Sequence, residues 1–284
     1  MTAAPLPAAP PRIDLDGVTY TYPTRDGAVR ALEGVTLTIG PGERVAVVGQ
    51  NGSGKSTLVR HLNGLLRPTG GEVCFDDRPT RRRSVADLAR VVGLVFQDPD
   101  RQIFAGTVRA EVEFGPRNLG LRGPALRAVV EQALTTVGLA GDDRTNPYDL
   151  GGSRRKLLAL ASVLAMRTPV LVLDEPTTGQ DPRGVATVRH VIDEASAAGR
   201  TVIAISHDME FVAGNFARVI VLRQGRVVAD GPPASVFAPD AWPTLRSTYL
   251  EPPLAAILGE RLGLATPTPT DETLFTALGG RPAR

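Results

Sequence analysis

A chain of 284 residues, 42% hydrophobic and 22% charged, has the length and composition of a globular protein with one large domain and an appendage. Its net charge of +2 without a concentrated basic stripe argues against nucleic acid as a partner, and no apolar run nears the ~20 residues that span a bilayer. Cys74 is the single cysteine, which excludes an intrachain disulfide and makes a cytoplasmic location the expectation.

In chain order, the Ala/Pro-rich start (residues 1–11) has neither a positive n-region nor an apolar h-region. It is expected to be a disordered tail. The first apolar run, Val45-Ala-Val-Val48, reads as a strand and leads into "GQNGSGKST", Gly49 to Thr57. That stretch fits G-x-x-x-x-G-K-[ST], and a helical pattern follows at Leu58, Val59, Leu62 and Leu65. Gly49, Gly52 and Gly54 let the backbone, with Asn51 and Ser53 between them, curl around phosphate oxygens. Lys55 reaches the terminal phosphates, Ser56 is placed to ligate Mg²⁺, and Thr57 completes the loop. Lys55 is one of only two lysines, the other being Lys156, in a chain that otherwise uses arginine; a compact ammonium charge suits this position. The basic run Arg81 to Arg83 reads as a solvated loop or a helix start.

"DLGGSRRKLLALAS", residues 149–162, reads as a helix start, whose free N–H groups and positive dipole end bind anions. The strand "PVLVLDEPT" places Asp174 and Glu175 at its C-terminal end, where parallel sheets bind ligands. Asp174 would hold Mg²⁺ through water, and Glu175 would orient and polarise an attacking water. A third strand, "RTVIAIS", ends at His207, which is expected to contact the γ-phosphate. Asp181 before Pro182 is a helix-capping pattern. Beyond Phe237, two short helical patterns follow: Leu254, Ile257, Leu258 and Leu262, then Leu274, Phe275 and Leu278. Each is too short to stand alone and is expected to pack on the core or across a dimer. No internal repeat is present.

These pieces in this order resemble the ATP-binding subunit of an ABC transporter over residues 12–238. The resemblance rests on the phosphate loop at 49–57, Gln97 after "VGLVF", the region at 150–154, "LVLDEP" at 171–176, "TTGQD" at 177–181 and His207. "FQDPDRQIFAGTV", Phe96 to Val108, with "EFGPRNLGL" and "PYDL", is similar to the energy-coupling factor (ECF) ATPases of the CbiO kind. The resemblance implies an α/β fold: a P-loop ABC-type domain at 12–238 with a parallel-sheet core and an antiparallel β subdomain. It also implies an inserted helical subdomain at about 98–165 and a helical C-terminal extension at 239–284 that helps two ATPases pair; a merely stabilising cap is the alternative.

Residue by residue, Tyr22 matches the aromatic that stacks on adenine, with Tyr20 as its competitor. Gln97 matches the loop residue that touches Mg²⁺ and relays its presence to a membrane partner, which places it among the catalytic groups with Glu175 and His207. Asp181 ends the D-loop segment that crosses toward a second subunit. Leu150, Gly151, Gly152 and Ser153 occupy the place of the Leu-Ser-Gly-Gly signature, which closes in trans over ATP held by the other subunit. Here the expected serine is Gly151, which has no hydroxyl, and the expected glutamine is Arg154. Ser153 or the charge of Arg154 or Arg155 is a candidate substitute.

The implied activity is ATP hydrolysis with ATP and Mg²⁺, as the motor of a micronutrient importer for a metal ion or vitamin. The implied partners are a second ABC ATPase subunit, identical or not, a transmembrane coupling protein and a substrate-binding membrane protein. The implied location is peripheral, on the cytoplasmic face of the cell membrane. The altered signature keeps open an ATP-binding regulatory subunit with little turnover; a non-transport ABC ATPase is a third reading.

Overall fold

The computed structural model describes residues 9–25 and 27–280. Residues 1–8 of the expected tail lie outside the described residues, and Pro11 is already buried. Two sheets form from strands β1 (Ile13–Thr24), β2 (Gly27–Ile39), β3 (Arg44–Val48), β4 (Gly70–Phe75), β5 (Arg78–Pro79), β6 (Val92–Val95), β7 (Val170–Asp174), β8 (Thr201–Ile205), β9 (Arg218–Arg223) and β10 (Arg226–Gly231). One sheet is antiparallel, in the order β2-β1-β4-β5. The other runs β10-β9-β3-β8-β7-β6, with all neighbours parallel except the edge strand β10.

The helices are α1 (Lys55–Leu62), α2 (Val85–Ala89), α3 (Val108–Asn118), α4 (Gly123–Thr136), α5 (Gly152–Leu164), α6 (Pro182–Ala197), α7 (Met209–Asn215), α8 (Pro233–Val236), α9 (Trp242–Arg246), α10 (Leu254–Arg261) and α11 (Asp271–Ala277). Helix α1 stops at Leu62, and Leu65 lies beyond it, exposed. The basic run falls on a short 3₁₀ turn, Thr80–Arg82, with Arg81 exposed and paired to Glu72.

Strands β3, β7 and β8 are almost uninterrupted apolar runs because both faces of the parallel sheet are covered. Alternate side chains feed two cores. Val45, Val47, Val172 and Ile203 join α1 and the antiparallel sheet. Ala46, Val48, Leu171 and Ala204 join α5, α6 and α7 together with α3 and α4. The strand order sets β3, β8 and β7 side by side in the centre. Their C-terminal ends therefore bring three separated segments, 49–54, 174–175 and 206–207, to one edge.

In the C-terminal extension the half-buried Ile257 is the part of the apolar pattern that packs on the core. Helix α10 buries Ala255, Ala256 and Gly259, while Leu254, Leu258 and Leu262 face solvent. The small side wins because the chain returns closely over it: Thr268 Oγ1 donates to Ala255 O at 2.9 Å, and a Cβ on Gly259 would meet that hydroxyl at 2.0 Å. Helix α11 buries no residue, and Phe275 and Leu278 are exposed.

Close packing between the parallel sheet and α5 generates a stability prediction. A Cβ on Gly93 of β6 would lie 2.5 Å from Val163 Cγ1 and 2.7 Å from Thr168 Oγ1. Overpacking of this kind costs ~1–3 kcal/mol. Urea unfolding of Gly93→Ala is expected to show that loss with an unchanged m-value; unaltered stability would mean that the β6–α5 contact yields freely.

Candidate functional site

The segment between β3 and α1 is held by three left-handed glycines, Gly49 (φ 148°), Gly52 (φ 79°) and Gly54 (φ 105°). At two of them close approach also demands glycine: a Cβ on Gly49 would meet Leu222 O at 2.2 Å, and one on Gly54 would meet Ala31 O at 2.4 Å. Inside the curl, the Lys55 ammonium donates to Gly49 O (2.6 Å) and Gln50 O (2.9 Å). Burial pulls its pKa down, and the charges of Glu175 and Asp174 oppose that. Ser53 is fully buried behind the loop, with its hydroxyl unpartnered.

Across the edge, β7 ends at Asp174, and Glu175 takes a left-handed φ of 53°. Consecutive strand residues point to opposite faces; this turn breaks the alternation, so both carboxylates reach the same cavity. Asp174 Oδ1 accepts from Ser56 Oγ at 3.3 Å. Burial and then the charge of Glu175 raise the Asp174 pKa, against the Ser56 hydrogen bond, Arg60 and Lys55. Glu175 Oε2 accepts twice, from Thr178 Oγ1 (3.2 Å) and from His207 Nδ1 (2.7 Å). With the carboxylate ionised, the imidazole carries a proton on Nδ1.

One cavity of about 380 Å³ gathers Tyr22, Asn51, Gly52, Gly54, Lys55, Ser56, Thr57, Gln97, Asp174 and Glu175. Gly49 and Ser53 lie behind this wall, and His207 reaches it through Glu175. Tyr22 and Tyr20 separate here. Tyr22 lines the cavity and shares a hydrogen bond with Thr57 Oγ1 (3.2 Å), whereas Tyr20 packs edge-on against Tyr22 and His61. Gln97 is brought in by its neighbour Gln102, which accepts from Phe96 N and donates to Ala159 O of α5. Val29, Arg30 and Ala31 of β2 also form walls, and short-range sequence gives no sign of them. Only the β1–β2 register, with Val29 opposite Tyr22, places them there.

The signature segment and Asp181 are not among these walls. Leu150 is buried, and Gly151 is the N-cap of α5 in extended geometry, with open space where a side chain would stand. The candidate substitutes for the missing hydroxyl are engaged elsewhere. Ser153 Oγ donates to Gln180 Oε1 (2.5 Å), Arg154 pairs with Asp142, and Arg155 lies 3.5 Å from Asp100. Asp181 caps α6, its Oδ1 accepting from Gly184 N at 2.7 Å.

Chemically, the cavity sets two buried carboxylates against one buried ammonium, its other cation, Arg30, being paired with Glu33, so a polyphosphate entering it is favoured by a cation as companion. The Ser56 hydroxyl, the Asp174 carboxylate and the Gln97 amide are the hard oxygen donors that Mg²⁺ takes from a protein when phosphate and water supply the rest. No group of three His, Cys, Asp or Glu residues poised to hold a metal occurs among the described residues.

The ABC transporter family profile matches residues 32–178. The energy-coupling factor transporter ATP-binding protein EcfA of Methanothermobacter thermautotrophicus is 42% identical over 255 residues, 89% of this chain and 80% of that protein. Among solved structures, cbiO1 from Clostridium perfringens, part of the ABC transporter complex cbiONQ, superposes with a TM-score of 0.72. It is 34% identical, covering 88% of this chain and 96% of that one. A dimeric ATP-binding cassette in a post-hydrolysis state with ADP and Pi gives a TM-score of 0.71 at 28% identity, over 78% of this chain and 98% of its own. The chain thus belongs to the ABC transporter family, as an ABC-type ATPase whose relatives include the ATP-binding proteins of energy-coupling factor transporters.

Proposed function

We propose that the chain is the ATP-hydrolysing motor of an ECF-type importer for a micronutrient, a metal ion or a vitamin. It works with a second ATPase subunit, a transmembrane coupling protein and a separate membrane protein that selects the substrate. Among the described residues no helix is long and apolar enough to cross a membrane, which fits a peripheral subunit at the cytoplasmic face. We assign 12–238 to the ATPase domain, about 98–165 to its helical subdomain and 239–284 to the C-terminal extension. The exposure of Leu254, Leu258, Leu262 and Phe275 in that extension supports pairing with another subunit.

The anchoring of Glu175 carries this reading. Both of its hydrogen bonds fall on Oε2, which leaves Oε1 to take a proton from a water attacking in the cavity. The loop N–H groups and Lys55 grip the phosphates, and Tyr22 offers its ring to the adenine. His207, exposed and tied to Glu175 through Nδ1, leaves Nε2 facing outward, and as the doubly protonated imidazolium it would donate from there to the γ-phosphate. A bound Mg²⁺, held by Ser56, Gln97 and Asp174, would neutralise phosphate charge. Leu150 to Ser153 and Asp181 lie off the chain's own cavity, as a segment serving the partner's nucleotide would. The engaged Ser153, Arg154 and Arg155 support the second reading, a subunit whose turnover is weak.

Glu175→Gln is expected to bind ATP with unchanged affinity and to lower turnover ~10²–10⁴-fold in a phosphate-release assay. Near-normal turnover removes Glu175 from the role of base. Gly151→Ser fits without a clash and restores a hydroxyl worth ~1.5–3 kcal/mol. Steady-state turnover at saturating ATP is expected to rise, by ~4–13-fold if half of that energy is expressed in the transition state. An unchanged rate would show that the missing hydroxyl is not limiting.

A further inference from the structure

Arg200, the residue before β8, is 7% exposed, yet it has almost nothing to bind. Its Nη2 donates to Thr168 Oγ1 at 3.3 Å, its Nε is buried without a partner, and among the described residues no carboxylate oxygen lies within 4 Å. Burial lowers its pKa to about 10, which leaves the guanidinium charged at neutral pH. An uncompensated buried cation costs stability, so a fold that keeps one needs a reason.

Arg200 lines a cavity of about 290 Å³ between α4, the end of α5 and α6. The other walls are chiefly apolar, among them Val129, Ala133, Leu164, Val191 and Ala195. The two charged groups at its rim are occupied: Arg167 donates to Gln132, and the half-exposed Glu194 lies 3.3 Å from His190 Nε2. The lining offers one buried guanidinium beside a chiefly apolar wall, a combination typical of small-molecule sites.

We propose that this cavity is a binding site for a small amphiphilic monocarboxylate, its carboxylate on the Arg200 guanidinium and its apolar body between α4, α5 and α6. The site is separate from the nucleotide cavity. Arg200 precedes the first residue of β8 and His207 lies two residues past the last, so the five-residue strand alone sets them about 17 Å apart at the strand rise. An occupant would touch the far end of α5, which begins at the signature segment, and the far end of α6, which Asp181 caps.

The test is thermal unfolding of the full chain with ADP filling the phosphate cavity, titrated with sodium hexanoate at constant ionic strength. Sodium acetate and hexan-1-ol serve as controls. Hexanoate is expected to raise the midpoint by about 2–4 °C when tenfold above its Kd, and the controls much less. Arg200→Met is expected to unfold at a higher temperature than the parent and to lose the hexanoate shift. Ala195→Leu, which fills the cavity and keeps the charge, is expected to lose the shift as well. An equal effect of hexanol, a shift surviving in both variants, a lower midpoint for Arg200→Met, or no shift in the parent chain at millimolar hexanoate would each overturn the proposal.

Discussion

Two carboxylates buried side by side at the end of β7, with a single buried ammonium facing them, are the constraint around which the rest of the molecule is arranged. Left alone, this cluster is unfavourable. Burial and the neighbouring charge of Glu175 raise the Asp174 pKa, and burial lowers that of Lys55. Its positions are fixed by a fully covered parallel sheet whose central strands end together, and by a left-handed turn at Glu175 that aims both acids at one cavity. A nucleotide entering with a companion cation would relieve this imbalance of charge. The site is therefore best understood as prepared for a ligand rather than at rest.

Around this centre, both lysines of the chain bind backbone carbonyls. Lys55 holds Gly49 and Gln50, which shapes the phosphate loop. Lys156, on α5, donates to Thr178 O at 2.6 Å, while Thr178 Oγ1 donates to Glu175. Ser153 adds a bond to Gln180 in the same stretch. The helix that begins at the signature segment is thus fastened directly to the loop that holds Glu175, the proposed base. A change at one nucleotide has a short path to the segment proposed to serve the other.

Much of this was legible in the sequence because the motifs are local. The loop at 49–57 forces its own geometry through glycines at positive φ, and an apolar run ending in two acids can only be a strand end once it is buried on both faces. Long-range pairing was not legible. Arg30 enters the nucleotide cavity through strand register, and the choice between Tyr20 and Tyr22 depends on packing against His61. The substitutes for the signature hydroxyl looked plausible in one dimension because nothing in the sequence shows that Asp142, Asp100 and Gln180 engage them. Which side of α10 turns inward was not legible for a related reason. Apolar spacing marks a face, and the close return of Thr268 over Gly259 decided which face was buried.

The most direct test of the central claim is the thermal stability of Asp174→Asn, with and without Mg²⁺ and ATP. A carboxyl whose pKa is raised by folding costs stability as pH rises from the unfolded value of 3.8 through the folded one, and the cost stays constant above. At pH 7 the nucleotide-free variant is expected to unfold at a higher temperature than the parent, the two converging below about pH 4. The parent should gain strongly from Mg²⁺ and ATP together, and the variant little. A variant less stable than the parent without nucleotide, or one that keeps the full gain from Mg²⁺ and ATP, would contradict the claim that this buried carboxylate is retained for its ligand.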